Sequence, residues 1–202
     1  MALELDSRIV DELKAKYKSL QDEGKLLSNE QLEKYYSAFR SRFGPDKLKN
    51  LDGEVLLDTM YKFGNRDSLV YWLEFKDDEE FPSLFGSIAG GSAFKYGLFR
   101  KRETETWTTG APSNPVELSV EQAVEVARRH RDQLIRGVEL LEKLPVNGTD
   151  EDYEHLQQEM NHVAPAVSDM AWGHKYFSLL YPEKLDPFHN PEFQRFHLIK
   201  LL

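Results

Sequence analysis

Along the first 66 residues the apolar side chains recur every three or four positions, the spacing of one face of an α-helix. Ile9, Leu13, Tyr17 and Leu20 share a stripe, with Asp6 or Ser7 available as cap, and predict a surface helix over about 6–20. Ser28-Asn29-Glu30-Gln31 has the form of a capping box. The broad stripe behind it, Leu32, Tyr35, Tyr36, Phe39 and Phe43, predicts a second helix that Gly44-Pro45 stops. A shorter helix over 54–63 carries Val55, Leu56 and Met60 and ends at Gly64-Asn65.

At residue 67 the period changes. Leu69, Tyr71, Leu73 and Phe75 alternate with Val70, Trp72 and Glu74, which suits a β-strand with one face on the core. A second strand is expected from Phe94 to about Arg102. A tight turn at Glu103-Thr104 returns it over 105–109, where threonines and Trp107 suit a pleated surface. Between these strands, residues 86–92 (GSIAGGS) tolerate positive φ or the close approach of a ligand or another helix.

Helical spacing then resumes. Residues 111–115 read as a loop, and Ser119 with Gln122 opens the longest helix, which runs to about Leu144 before Pro145. Val120, Ala123, Ala127, Leu134, Val138 and Leu141 form its apolar stripe. Arg131 falls inside that stripe and His130 on its edge, whereas Arg128, Arg129 and Arg136 point outward beside Glu125 and Asp132. A guanidinium on an apolar face needs a partner, so Arg131 is a candidate buried ion-pair or anion site. Thr149 caps a helix over 150–163 with Tyr153, Leu156, Met160 and Val163 inward. Another runs through Trp172, Tyr176, Phe177, Leu179 and Leu180 to Pro182, and Asn190-Pro191 opens a last one. Phe193, Phe196, Ile199 and Leu202 are still in phase where the sequence stops, with no C-cap, the pattern expected of the N-terminal piece of a longer protein.

The expected fold is therefore α+β and mostly helical, a single domain over 1–202 with six or seven helices around a small antiparallel β-sheet of two to four strands. Helical segments 1–66 and 116–202 flank a β-element over 67–110.

Composition narrows the chemistry. At 202 residues, 40% hydrophobic and 12% aromatic, the chain can hold one substantial core or two small ones. The absence of cysteine excludes disulfides, thiolate zinc sites and a cysteine nucleophile, and suits a reducing compartment. No apolar run approaches the roughly 20 residues that span a bilayer, and there is no signal-peptide apolar region. The chain reads as soluble and cytoplasmic, with no membrane partner. A net charge of −9 argues against coating nucleic acid over the whole surface but leaves room for a local basic patch. Acidic residues gather at 77–80 and 150–159, whereas Lys95, Arg100, Lys101 and Arg102 sit together on the β-element.

Several familiar chemistries find no support. The GSIAGGS stretch has Ser92 where a phosphate loop needs lysine, and there is no GxGxxG. Asp152 with His155, and Glu159 with His162, have the spacing used in di-iron bundles. Both pairs lie on one helix, however, where such bundles draw them from two facing helices, so neither metal nor cofactor is expected. With no HExxH and no GxSxG elbow, no catalytic residues are assigned. What remains is the β-element, where basic groups can hold phosphates while aromatic faces stack bases, at roughly 1–3 kcal/mol per stack. Lys95, Tyr96, Arg100, Lys101, Arg102 and Trp107 are the candidate nucleic-acid contacts. The structural alternative is that Phe94, Tyr96 and Leu98 face the core while the charges keep a sheet edge soluble.

Residues 172–192, WGHKYFSLLYPEKLDPFHNPE, resemble part of the N-terminal regions of McrB-like proteins, the AAA+ GTPase subunits of modification-dependent restriction systems and their relatives in phage defence. The block LVYWLEF…FGSIAGGSAFKYGLFRKRETETWTTG looks like the same region, so the likeness extends over 68–202. It implies an N-terminal accessory or recognition domain whose motor and nuclease partners lie elsewhere. Walker motifs are absent, the chain does not match that family's methylcytosine-flipping domain, and no base-reading residue carries over. Three functions stay open: a module that reads modified or distorted DNA, an assembly domain between subunits, and a small enzyme with a pocket lined by Arg131, Trp172 and a histidine.

Overall fold

The computed structural model describes residues 6–62, 64–76, 88, 90–187, 190, 192, 195 and 196. The chain divides into two compact units, residues 39–189 and residues 1–38 with 190–202. In the smaller unit, helix α1 (Ser7–Asp22) is capped by Asp6, whose carboxylate accepts from the Arg8 amide at 2.9 Å, and none of its residues is buried. Helix α2 (Asn29–Phe43) starts at the expected capping box. Gln31 N donates to Ser28 Oγ at 3.2 Å and Ser28 N to Gln31 Oε1 at 2.8 Å. Phe39 and Phe43, at its end, belong to the core of the larger unit.

The larger unit continues with α3 (Pro45–Leu48), α4 (Gly53–Tyr61) and α5 (Leu69–Tyr71), then a π-helical turn over Trp72–Lys76 and a 3-10 turn over Ala93–Tyr96. Strands β1 (Leu98–Arg100), β2 (Trp107–Ala111) and β3 (Asn114–Leu118) follow. Helices α6 (Val120–Lys143), α7 (Asp150–Val163) and α8 (Ala171–Leu180) complete it. The fold is mostly helical α+β with a small antiparallel sheet in the order β1-β2-β3, Arg100 lying opposite Trp107 and Trp107 opposite Leu118.

Helix α6 is the spine. Ser119 and Gln122 close its capping box, and Ala123, Ala127, Leu134, Val138 and Leu141 are buried as the stripe predicts, whereas Val120 is exposed. A Cβ on Gly137 would lie 2.4 Å from Phe177 Cζ, so the missing side chain is what lets the Phe177 ring lie against this helix. Helix α8 is buried almost all round. Its Tyr176 hydroxyl donates to Phe43 O at 2.8 Å, the fully buried Lys175 Nζ donates to Leu73 O at 2.8 Å, and a Cβ on Gly173 would sit 2.0 Å from Val167 O. Trp172, Lys175 and Tyr176 are thus architectural. Lys175 ties α8 to the π-helical turn and Tyr176 ties it to α2, while Trp172 packs on Tyr96 and His130; in the aromatic cluster Phe39 and Phe43, Phe43 and Trp72, and Phe39 and Tyr176 pack 5.3, 5.5 and 5.9 Å apart.

Three local expectations are corrected. Residues 68–76 are helical and not a strand: Ser68 Oγ caps α5 by accepting from Tyr71 N at 3.3 Å, and the chain widens into the π turn. The segment is apolar on nearly every side, so it carries a period of two and a helical period together. The buried set Leu69, Val70, Trp72 and Leu73 has the helical one. Phe94–Tyr96 is a 3-10 turn capped by Ser92 and ended by Gly97 at φ +71°, so the strand begins only at Leu98. Finally, the loop expected over 111–115 is a two-residue turn at Pro112-Ser113 that leads into β3. The glycine-rich stretch over 86–89, apart from Ile88, and most of the last helix lie outside the described residues. Among the described residues no helix is long and apolar enough to cross a membrane.

Candidate functional site: a cationic cleft beside the sheet

Arg100 is the last residue of β1, and Lys101 and Arg102 open the turn that leads to β2, closed by Lys101 N donating to Thr106 O at 2.9 Å. Within the turn Glu105 takes φ +55°, the one positive φ at a non-glycine among the described residues. Its carbonyl accepts from Arg100 Nε at 2.8 Å, which fixes the guanidinium. Strained backbone of this kind and π-helical turns both concentrate at functional sites. Here they line two neighbouring hollows, the π-helical turn the first and Glu105 the second.

The two hollows adjoin and share Arg100, Lys101 and Arg102 as a rim. The inner one, about 370 Å³, is lined by Tyr61, Val70, Tyr96 and Leu98 together with Glu74, Phe75 and Phe99. The outer one, about 690 Å³, adds Lys62, Gly64, Asn65 and Glu105. Four cations and one carboxylate line the outer hollow, a local excess of basic side chains in a chain whose total charge is negative.

Three of these cations have exposed carboxylate partners. Lys101 pairs with Glu117 at 2.7 Å, Arg100 with Glu105 at 3.6 Å and Lys62 with Asp58 at 2.9 Å. Solvent-exposed pairs of this sort are worth about 0–1 kcal/mol, so an incoming phosphate, offering charge-assisted hydrogen bonds, can displace them.

Lys95 stands apart from the rim. Its ammonium donates to Glu74 Oε1 at 3.0 Å, Ile88 O at 2.6 Å and Gly90 O at 2.8 Å, which uses all three of its N–H bonds. Tyr96 donates its hydroxyl to the other oxygen of Glu74 at 3.0 Å and is only 4% exposed. Together they brace the π-helical turn against the 3-10 turn. Trp107, 7% exposed, is packed into the core. Of the six candidate contacts, then, Arg100, Lys101 and Arg102 come together on the rim. The expectation that Lys95, Tyr96 and Trp107 are displayed beside them is corrected, because a satisfied ammonium and buried rings cannot meet a polyanion.

Arg131 satisfies itself internally. Nη1 donates to Leu51 O at 2.6 Å, and Nε and Nη2 both lie 2.8 Å from Asp132 Oδ1, with the side chain 15% exposed. It pins α6 to the chain that enters α4. Among the described residues Arg131 and Trp172 are turned to different partners: Trp172 packs 6.0 Å from His130 in the core, while Arg131 donates to Leu51 O. Among the described residues no three histidine, aspartate or glutamate side chains converge as a metal-binding group.

Two residues of the cleft escaped sequence reasoning. Glu74 reads there as the polar position of a strand. Tyr61 lies beneath the inner hollow and shares a 2.7 Å hydrogen bond with His130 Nδ1. His130 is buried, and burial together with nearby Arg129 pulls its pKa down to about 4, so it is neutral at physiological pH. Its ring lies against Gly97, where a Cβ would come within 3.0 Å of Cε1. The only signal in the sequence was its place at the edge of the α6 stripe.

No protein-family model, curated protein or solved structure matches this chain.

Proposed function

We propose that this chain is a non-catalytic recognition or accessory module of a McrB-like restriction or phage-defence system, cytoplasmic, engaging DNA through Arg100, Lys101 and Arg102. The carrying observation is the uninterrupted cationic rim shared by two hollows, with only exposed carboxylates paired to Lys101 and Arg100. A rim of three cations suits contact with a short stretch of phosphates and not the wrapping of a long duplex. The likeness of 68–202 to McrB-like N-terminal regions supports placing the module beside a motor and nuclease. Fluorescence anisotropy of labelled DNA across a salt series tests the assignment. The wild-type chain binds at low salt and weakens as salt rises, and the combined Arg100→Ala, Lys101→Ala and Arg102→Ala variant loses that binding. Absence of binding at low salt contradicts it.

A second reading, assembly with other subunits of such a complex, is favoured by α1, where Leu13 and Tyr17 are each 44% exposed on a helix with no buried residue. Light scattering showing a stable oligomer that lacks DNA affinity supports assembly in place of recognition.

A further inference from the structure

We infer that the cleft binds one phosphorylated nucleotide unit, its flat ring in the inner hollow and its phosphate in the outer one. This rests on the DNA-binding reading and narrows it. The two hollows differ in chemistry in the way such a ligand does. The inner one has aromatic and aliphatic walls from Tyr61, Val70, Phe75 and Phe99, with the carboxylates of Glu74 and Glu103 at hand for a ring's N–H groups, and a volume of about 370 Å³, near the lower end of small-molecule sites and suited to one ring system. The outer one is lined by Lys62, the three rim cations and Glu105, with Asp58 and Glu117 paired to Lys62 and Lys101 from outside the lining. Because Arg100, Lys101 and Arg102 border both, a ring and a phosphate bound side by side are held by one wall.

The rings of the aromatic wall are packed against other rings. Phe99 packs edge-on against Phe94 with centroids 4.7 Å apart, and Phe75 packs on Tyr71 at 5.4 Å. Glu74, between them, is fixed by Lys95 and Tyr96. Little ordering cost therefore falls on binding. The required chemistry, a nucleoside bearing a terminal phosphate, has two sources: a free nucleoside monophosphate or the phosphorylated end of a strand.

The experiment titrates the whole chain with a short single strand carrying either a 5′-phosphate or a 5′-hydroxyl, then with free nucleoside monophosphates, nucleosides and inorganic phosphate. Charge-assisted contacts to a terminal phosphate predict that the phosphorylated strand binds about tenfold or more tightly than its hydroxyl counterpart. Free monophosphates that bind as well as that strand identify the small molecule as the source. Binding confined to the strand identifies the end. Ala93→Leu, at an exposed position lining the inner hollow, fills the ring site and lowers nucleotide affinity while leaving inorganic phosphate unaffected. Equal, salt-sensitive binding of both strands overturns the inference and leaves the DNA reading intact. Inorganic phosphate competing as well as nucleotide, with Ala93→Leu unchanged, overturns the ring assignment. No binding by any probe overturns both.

Discussion

Lys95 and Lys101 lie six residues apart, each bonded to a glutamate, and the structure gives them different work. The glutamate of Lys95 is Glu74, 13% exposed and also bonded to Tyr96, and the ammonium has two carbonyl acceptors besides. The glutamate of Lys101 is Glu117, 59% exposed, and the pair is a surface one. A cation's availability to a ligand is therefore set by the burial of its partner and by how many of its N–H bonds are already used, and not by the presence of a partner. The first lysine is part of the scaffold. The second is part of the surface.

The comparison can be broken from several sides. The largest effect expected is on pH dependence, because the scaffold beneath the cleft includes neutral His130. Its folded pKa of about 4 lies below the ordinary 6.5, so between those values the unfolded chain binds the extra proton. Its contribution is fully present above about pH 6.5 and falls as the pH drops towards 4, by on the order of 3 kcal/mol in total. Urea denaturation at a series of pH values reads this directly. His130→Gln, which keeps a hydrogen-bonding partner for Tyr61, flattens that part of the profile.

Next in size is Glu74→Ala, which leaves the Lys95 ammonium with its carbonyl acceptors but no counter-charge and the buried Tyr96 hydroxyl without its acceptor, and destabilises the chain by roughly 1–3 kcal/mol in the same assay. Glu117→Ala, removing the partner of Lys101, changes stability by less than about 1 kcal/mol. A loss for Glu117→Ala as large as that for Glu74→Ala collapses the distinction between scaffold and surface.

The parts of this arrangement that were legible in the sequence are those whose causes are local. The caps at Ser28, Ser119 and Thr149 were readable because cap and partner are three residues apart, and so was the reversal at Glu103-Thr104, although the strand before it ends at Arg100 and not at about Arg102. The helix over 69–76 was not, since a segment apolar on both faces supports either period until its neighbours are known. The fate of Lys95 and Tyr96 was hidden for a similar reason: their shared acceptor, Glu74, lies more than twenty residues away and presents its carboxylate only because the chain there is helical. Lys175 is the extreme case. A lysine buried in α8 donates to the Leu73 carbonyl, 102 positions distant, which no local pattern announces.

The most direct test of the division between scaffold and surface is the salt dependence of single-stranded DNA binding by the rim variants. Each phosphate neutralised contributes about 0.7 to the slope of log affinity against log salt. Three rim cations predict a wild-type slope near −2 that disappears in the combined Arg100→Ala, Lys101→Ala and Arg102→Ala variant. A slope unchanged in that variant, or no measurable affinity of the wild-type chain at low salt, contradicts the account.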